Sequence, residues 1–333
     1  MPSETSGSRY RPPGPLGCGG APLGNLFARV EEDEAVRVLD LAWNEGIRHF
    51  DTAPFYGFGL SEHRFGQKLR QQPRDGFMLS TKVGRILEPL ADAVTVPERS
   101  GFVGGLPFQA RFDYSADATR RSLEDSLQRL GLARIDIVYI HDVGEDTHGP
   151  DWMTHFNAAM AGAAPVLTRM REEGIIRGWG LGVNRVAPCL LALEQADPDV
   201  FLAAGRYTLL DTSSLDTLLP RCRERGVSVV VGGPYNSGLL TGGNMYDYVQ
   251  APPPLIARRD AIAAICGRHG VDLRAAALQF CTAHPVVAAA IPGARDSTEM
   301  QQNADLMRVT IPVDLWSELK SAKLIPDHAP TPG

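Results

Sequence analysis

Three apolar runs of the chain end in groups that could do chemistry. Asp51 closes IRHFDTA, Lys82 closes FMLSTKV, and His141 with Asp142 follows IDIVYI. A charged residue at a strand end is ordinarily a solvated one. A carboxylate, an ammonium and an imidazole on three successive runs point instead to a shared site, because parallel barrel strands present their C-terminal ends at one mouth. Tyr56 follows Asp51 within the loop APFYG, close enough to fold back over that mouth toward Lys82. An ammonium beside a phenol favours the phenolate, and each unit by which the pKa falls from about 10 corresponds to about 1.4 kcal/mol. That would tune Tyr56 for proton transfer near neutral pH.

The elements that must position these residues are legible as an alternation. Candidate strands are LGCGG near 16, IRHFDTA from 47, FMLSTKV from 77, IDIVYIH from 135, GWGLGVN from 178, FLAAG from 201, VSVVVGG from 227 and VVAAAIPG from 286. Helical stretches with apolar residues three and four apart lie between them, such as EEDEAVRVLDLAWNEG and ADATRRSLEDSLQRLG, ending on Gly46 and Gly131 as left-handed caps would. Eight strand-helix pairs with no Pro-rich linker predict one domain, a (β/α)8 TIM barrel over residues 14–325, with flexible tails at 1–13 and 326–333. Loops 84–114 and 232–254 are too long for simple joints and follow candidate strands, so they are expected to wall the mouth. The weaker alternative for residues 84–98 is a mobile surface insertion.

Composition narrows the function classes. The 333 residues carry a net charge of -6 with 44% apolar residues and no basic run, which disfavours a nucleic-acid partner. The first residues lack an apolar signal region and no long apolar stretch follows, so a cytoplasmic protein away from membranes is expected. Five cysteines without a CxxC pair fit neither a disulfide framework nor a zinc knuckle. They read as small buried residues, Cys18 being the alternative as a reactive thiol. No GxGxxG follows a strand, and the GLG at 180–182 reads as tight strand packing rather than a Rossmann loop.

The segments GIRHFDTAPFYGFGLSE, STKVG, IDIVYIHD and IPGARD, in this order, resemble the motifs of the aldo-keto reductase family from Leu16 to Asn303. The resemblance implies an NAD(P)-dependent oxidoreductase with Asp51, Tyr56, Lys82 and His141 as its catalytic tetrad. In it Tyr56 exchanges the proton, Lys82 lowers its pKa, Asp51 holds Lys82, and His141 orients the substrate oxygen. It also implies cofactor contacts at Gly20, Asp51, Asn184, Pro234, Tyr235, Asn236, Ser237, Leu239, Ile291, Gly293, Ala294, Arg295, Glu299, Gln302 and Asn303, with backbone N–H groups at the start of the last barrel helix suited to an anion. Two departures stand out. Ala204 replaces a Gln that grips the carboxamide, and Gly232 stands where an aromatic often stacks on the nicotinamide.

Within the family, FVGGLPFQARFDYS, RSLEDSLQRLGLARIDIVYIHDVG and LGVN look like dehydrogenases that oxidise L-fucose or D-threo-aldoses at C1 to the lactone, and like a related pyridoxal dehydrogenase. Phe55, Phe102 and Phe108, with Phe112, are the expected substrate wall beside His141. NADP-preferring relatives offer a Lys and an Arg where this chain has Gly293 and Glu299, so NAD is expected over NADP, with Arg295 as the counter-argument. A monomer or homodimer acting on a sugar or aldehyde is implied. Two other classes compete: a zinc hydrolase using His49, Asp51, His141 and Asp142, and a slow-turnover nicotinamide-binding regulatory module. No metal is expected, because no HxH pair ends the first strand.

Overall fold

The computed structural model describes residues 9–90 and 98–333. Its strands are β1 (Cys18–Gly19), β2 (His49–Asp51), β3 (Met78–Val83), β4 (Arg85–Pro89), β5 (Glu98–Arg99), β6 (Phe102–Val103), β7 (Phe108–Phe112), β8 (Ile137–His141), β9 (Gly178–Val183), β10 (Val200–Ala204), β11 (Ser228–Gly232), β12 (Met245–Tyr246), β13 (Val249–Gln250) and β14 (Val287–Ile291). Eight form one sheet in the order β1-β2-β3-β8-β9-β10-β11-β14, every neighbouring pair parallel. The sheet closes on itself. The N–H groups of Gly17 and Gly19 donate to the carbonyls of Ala290 and Pro292, both at 3.0 Å. These are the eight runs expected from the sequence, and helices surround them as a (β/α)8 barrel requires.

The barrel interior explains why the strands read as continuous apolar runs: β3, β8, β9, β11 and β14 are buried at every position. A Cβ on Gly180 would lie 1.7 Å from the carbonyl oxygen of Val200, so β9 meets β10 backbone against backbone. That supports packing as the reason for the GLG run. The helix Ala116–Leu130 starts at Ser115, whose hydroxyl accepts from the N–H of Ala118, and stops at Gly131 with φ 61°. Gly46 after the helix Glu32–Asn44 has φ 83°.

Both long loops carry structure of their own. Over the described part of 84–114, β4 pairs antiparallel with β7 and β5 with β6, while residues 91–97 of the expected insertion lie outside the described residues. In the second loop β12 pairs with β13. Among the described residues no helix is long and apolar enough to cross a membrane.

The tail boundaries differ from expectation at both ends. Arg9 bridges Asp197 and Asp199, and its NH1 donates to the carbonyl of Pro198 at 2.9 Å. Arg11 donates to the carbonyls of Pro285, Val286 and Val287 at the entry to β14, and the ring of His49 hydrogen-bonds the carbonyl of Pro13 at 3.1 Å. A guanidinium carries five donors, so one side chain can satisfy several strand-end carbonyls that no ladder reaches. At the other end Ala329 is buried and His328 pairs with Asp216 at 2.7 Å. Deleting residues 1–13 should lower unfolding free energy by about 1–3 kcal/mol in urea, the usual range for losing such contacts. An unchanged midpoint would restore the free-tail reading.

Candidate active site

Register brings the ionisable residues together. Asp51 on β2 pairs with Ser80 on β3, and Lys82 lies two residues further along the same strand, on the same face. The Lys82 ammonium donates to Asp51 Oδ2 at 2.8 Å and to the carbonyl of Thr52 at 2.9 Å, while the Ser80 hydroxyl donates to Asp51 Oδ1 at 2.7 Å. The two charged side chains are 1% and 2% exposed. Gly182 on β9 packs beside the lysine stem and against Tyr139, whose Cβ would lie 3.2 Å from a Cβ added there. Tyr56 roofs the pair, with the Lys82 nitrogen 4.6 Å from the ring centroid. The ring of His141, at the end of β8, lies edge-on to Tyr56 with centroids 6.0 Å apart.

Electrostatics at Tyr56 run opposite to the sequence-based expectation. Its pKa is raised well above the ordinary phenol value, by burial first and then by Asp51 and Asp142, with Arg85 opposing. The ammonium of Lys82 is already matched by Asp51, so it does not dominate. His141 is pushed well below the usual imidazole range by burial, Arg85 and Lys82. Cys18 is pushed up to about 12 by burial and by Asp51, and all five cysteines are free and buried, which makes Cys18 a packing residue.

Around this centre opens a cavity of about 770 Å³, within the range of small-molecule sites. It is lined by Asp51 and Tyr56 at one end and by Arg274, Glu299, Gln302 and Asn303 at the other. Phe27 and Tyr248 face each other across its mouth with ring centroids 6.3 Å apart. Arg64 fixes the loop carrying Phe27 by hydrogen bonds to Asn25 and to the carbonyls of Leu23 and Val30. Arg206, paired with Asp211 and Asp247, fixes the loop carrying Tyr248.

The sequence matches the Aldo/keto reductase family over residues 15–323. The chain belongs to that family. This aldo/keto reductase is 41% identical to the pyridoxal 4-dehydrogenase of Microbacterium luteolum over 93% of its own length and 94% of that protein's. It is 40% identical to a D-threo-aldose 1-dehydrogenase of a Pseudomonas species over the same shares. The holo form of an aldo-keto reductase from Bacillus halodurans shares the fold at a TM-score of 0.70 and 24% identity, covering 97% of this chain and 99% of that one. The protein is thus an oxidoreductase of a family that uses nicotinamide cofactors.

The residues present fit such a cofactor. Gly20, Asn184, Pro234, Tyr235, Asn236, Ser237, Ile291, Gly293, Arg295, Glu299, Gln302 and Asn303 all line the cavity. Asn236 is 2% exposed and leaves its Oδ1 buried without a hydrogen-bond partner on this wall, an acceptor that a bound amide or hydroxyl would satisfy. Ala204 and Gly232 line the floor, where a Cβ on Gly232 would press within 2.9 Å of Leu202, so Leu202 takes part of the space an aromatic would fill.

Several expected contacts are corrected. Leu239 and Ala294 are 0% and 1% exposed, and their side chains pack in the core and do not line the cavity. The start of the helix Ser297–Leu306 is not open to an anion: Glu34 accepts from the N–H of Ser297, Asp296 from that of Glu299, and Glu299 from that of Arg295, at 2.6, 2.8 and 2.8 Å. Phe102, 3% exposed, is sealed among Phe55, Phe58 and Tyr56, and Phe55 and Phe108 pack on the same cluster. These rings back Tyr56 and do not line the described cavity; Phe27 and Tyr248 do. His49 is turned to Pro13, and its pKa falls to about 4 through burial. Among the described residues no cluster of three His, Cys, Asp or Glu could hold a metal ion.

Breaking a buried ion pair from one side strands the other charge. Lys82→Met should therefore cost about 3–5 kcal/mol of stability, and adding Asp51→Asn should recover part of it. Equal losses in the single and double variants, measured by urea unfolding, would mean the two charges are not coupled.

Proposed function

We propose that the protein oxidises a small hydroxylated substrate, an aldose at C1, with Tyr56 exchanging the hydroxyl proton. The observation that carries this reading is the buried Lys82–Asp51 pair under the Tyr56 ring, at the wall of a cavity of about 770 Å³. Bound along that cavity, a nicotinamide supplies the hydride acceptor that no side chain can be. Tyr56 removes the hydroxyl proton, Lys82 steadies the phenolate, Asp51 holds Lys82 in place, and His141 donates to the same substrate oxygen. The likeness to a D-threo-aldose 1-dehydrogenase supports an aldose, with L-fucose in the same class. Pyridoxal is the second reading. It rests on the equal likeness to a pyridoxal 4-dehydrogenase and on Phe27 and Tyr248, aromatic residues of the cavity lining against which a flat ring could pack.

The direction of the Tyr56 shift sets the pH dependence. A raised pKa leaves the phenol protonated at neutral pH, so the base form needed for oxidation grows as pH rises toward that pKa. The oxidation rate should climb by up to about tenfold per pH unit below that pKa, while reduction, which needs the phenol form, should stay flat over the same range and fall only above it. Tyr56→Phe should lower kcat at least about 100-fold on the best member of a panel of aldoses and pyridoxal, with cofactor affinity unchanged. Near-wild-type turnover in that variant would remove Tyr56 from the reaction; turnover on no panel member would remove the substrate assignment.

NAD is the proposed cofactor. The far end of the cavity presents Glu299 locked to Arg295 by contacts of 2.5 and 3.1 Å, and the helix start behind it is already occupied by carboxylates. An extra phosphate dianion would meet this acidic rim with its arginine committed. Arg274, the other cation there, is held by Asp272 and by Gln302 at 2.7 Å. Wild-type kcat/KM should favour NAD, and Gly293→Lys with Glu299→Arg should shift the ratio toward NADP. A wild-type preference for NADP would place cofactor choice elsewhere.

A further inference from the structure

The assignment of roles above leaves one buried cation unused. Arg85, at the start of β4, is 6% exposed, and its guanidinium lies between two phenylalanine rings, 4.0 Å from the centroid of Phe55 and 4.5 Å from that of Phe112. Its NH1 reaches two partners at once, His141 Nδ1 at 3.0 Å and Asp142 Oδ2 at 2.7 Å. Asp142 is bent toward it by a left-handed backbone, φ 52°, and the Tyr114 hydroxyl fastens that turn by donating to the carbonyl of His141 at 2.9 Å.

A guanidinium has donors and no acceptor, and it keeps its proton at any working pH. The nitrogen it touches must therefore be the unprotonated one. We propose that Arg85 is a positioning residue for the reaction: by donating to Nδ1 of His141 it keeps the imidazole proton on Nε2, leaving that nitrogen as the donor for a substrate oxygen. The stacked phenylalanines hold the guanidinium plane, so the direction of the bond is fixed as well as its partner. Asp142 balances the charge, which lets a full cation sit beside the imidazole without opening the site to water. Burial first, and then repulsion from Arg85 and from Lys82, keeps the ring neutral in the same arrangement. The inference rests on the reading that His141 works at the substrate oxygen.

The groups facing His141 are Lys82 from β3, Arg85 from β4, Tyr56 from the loop after β2, and Asp142 beside it, whose Oδ2 is 3.5 Å from Nε2. Removing Arg85 takes away its repulsion of the imidazole, and it strips Asp142, whose carboxyl is pushed up by burial, of its counter-charge. The imidazole pKa must then rise, and Nδ1 loses the donor that forbade it a proton.

Histidine labelled with nitrogen-15, with His141 identified by the resonance lost in His141→Gln, reads the tautomer directly and needs no turnover. The wild type should show a neutral ring protonated at Nε2, with no titration between about pH 5 and 8. In Arg85→Gln, whose amide can accept as well as donate, His141 should populate the Nδ1–H form or titrate in that range. The variant should also lose about tenfold or more in kcat and gain an acid limb in kcat/KM, with the cofactor dissociation constant unchanged. Arg85→Lys, which keeps a charge and a donor, should fall between the two. A wild-type His141 protonated at Nδ1, or titrating in that range, overturns the inference whatever the variants do. So does an Arg85→Gln protein with wild-type cofactor affinity that keeps the wild-type tautomer, or one whose tautomer moves while kcat does not. Because the spectrum is independent of activity, a failed Arg85 inference stays distinct from a failed function, which Tyr56→Phe decides.

Discussion

Burying the Lys82–Asp51 pair is the constraint on which the rest of the mouth depends. Two full charges at 1% and 2% exposure have surrendered their hydration, and the attraction between them offsets that loss only if every remaining lone pair and proton is also satisfied. The neighbours are chosen accordingly. Ser80 completes Asp51 from the facing register position, and the carbonyl of Thr52 takes a second proton of Lys82. With those partners committed, the open face of the ammonium is the one Tyr56 covers with its ring. The chemistry of the tyrosine is therefore fixed by the geometry of β2 and β3 beneath it.

Paired charge recurs outward from that centre. Arg85 meets Asp142, Arg206 meets Asp211 and Asp247, and Arg295 meets Glu299. Each pair fixes a loop without leaving a bare charge on the cavity wall, and the result is a low-dielectric site in which burial decides the protonation states. Tyr56 is pushed toward the phenol and His141 toward the neutral imidazole. Two neutral donors whose rings lie 6.0 Å apart suit an oxygen that gains or loses negative charge. On the proposed reading, oxidation begins by taking the proton from Tyr56.

Most of the frame was legible because it is written in local periods. All eight barrel strands stand where runs of β-branched and small apolar residues were bounded by turn residues, and Gly131 ends its helix as its position suggested. Asp51, Lys82 and His141 were legible as ionisable residues closing such runs. What spacing does not encode is which distant residue meets them. Arg85 stands 56 positions from His141, and Phe27 meets Tyr248 only after the barrel has closed. The downward shift expected for Tyr56 counted the ammonium but not the carboxylate already bound to it. Likewise the helix start near Ser297 resembled an anion site until Glu34, from the first barrel helix, was seen to fill it. Phe102 shows the same limit: a ring in a glycine-rich loop reads as exposed, yet three other rings bury it.

The two ends of the barrel divide the work, and the backbone shows it. At the floor, Arg9 and Arg11 satisfy carbonyls and carboxylates between strands, contacts whose only effect is to hold the fold closed. At the mouth, residues other than glycine adopt positive φ at Phe27, Phe58, Asp142, Asn236, Ser237, Asp247 and Tyr248, a conformation that an L side chain resists. Every one of these lies in a loop that follows a barrel strand. Each such residue costs on the order of 1–3 kcal/mol and persists only where its surroundings over-determine it. Here they do: Arg64 and Arg206 brace the loops from below, Tyr114 fastens the turn at Asp142, and Ser237 accepts from the N–H of Tyr248 at 3.0 Å. Phe27, Asn236, Ser237, Asp247 and Tyr248 among them line the cavity and Asp142 holds the arginine beside His141, so the rigid floor and the paired charges stabilise a mouth that would not hold its shape alone.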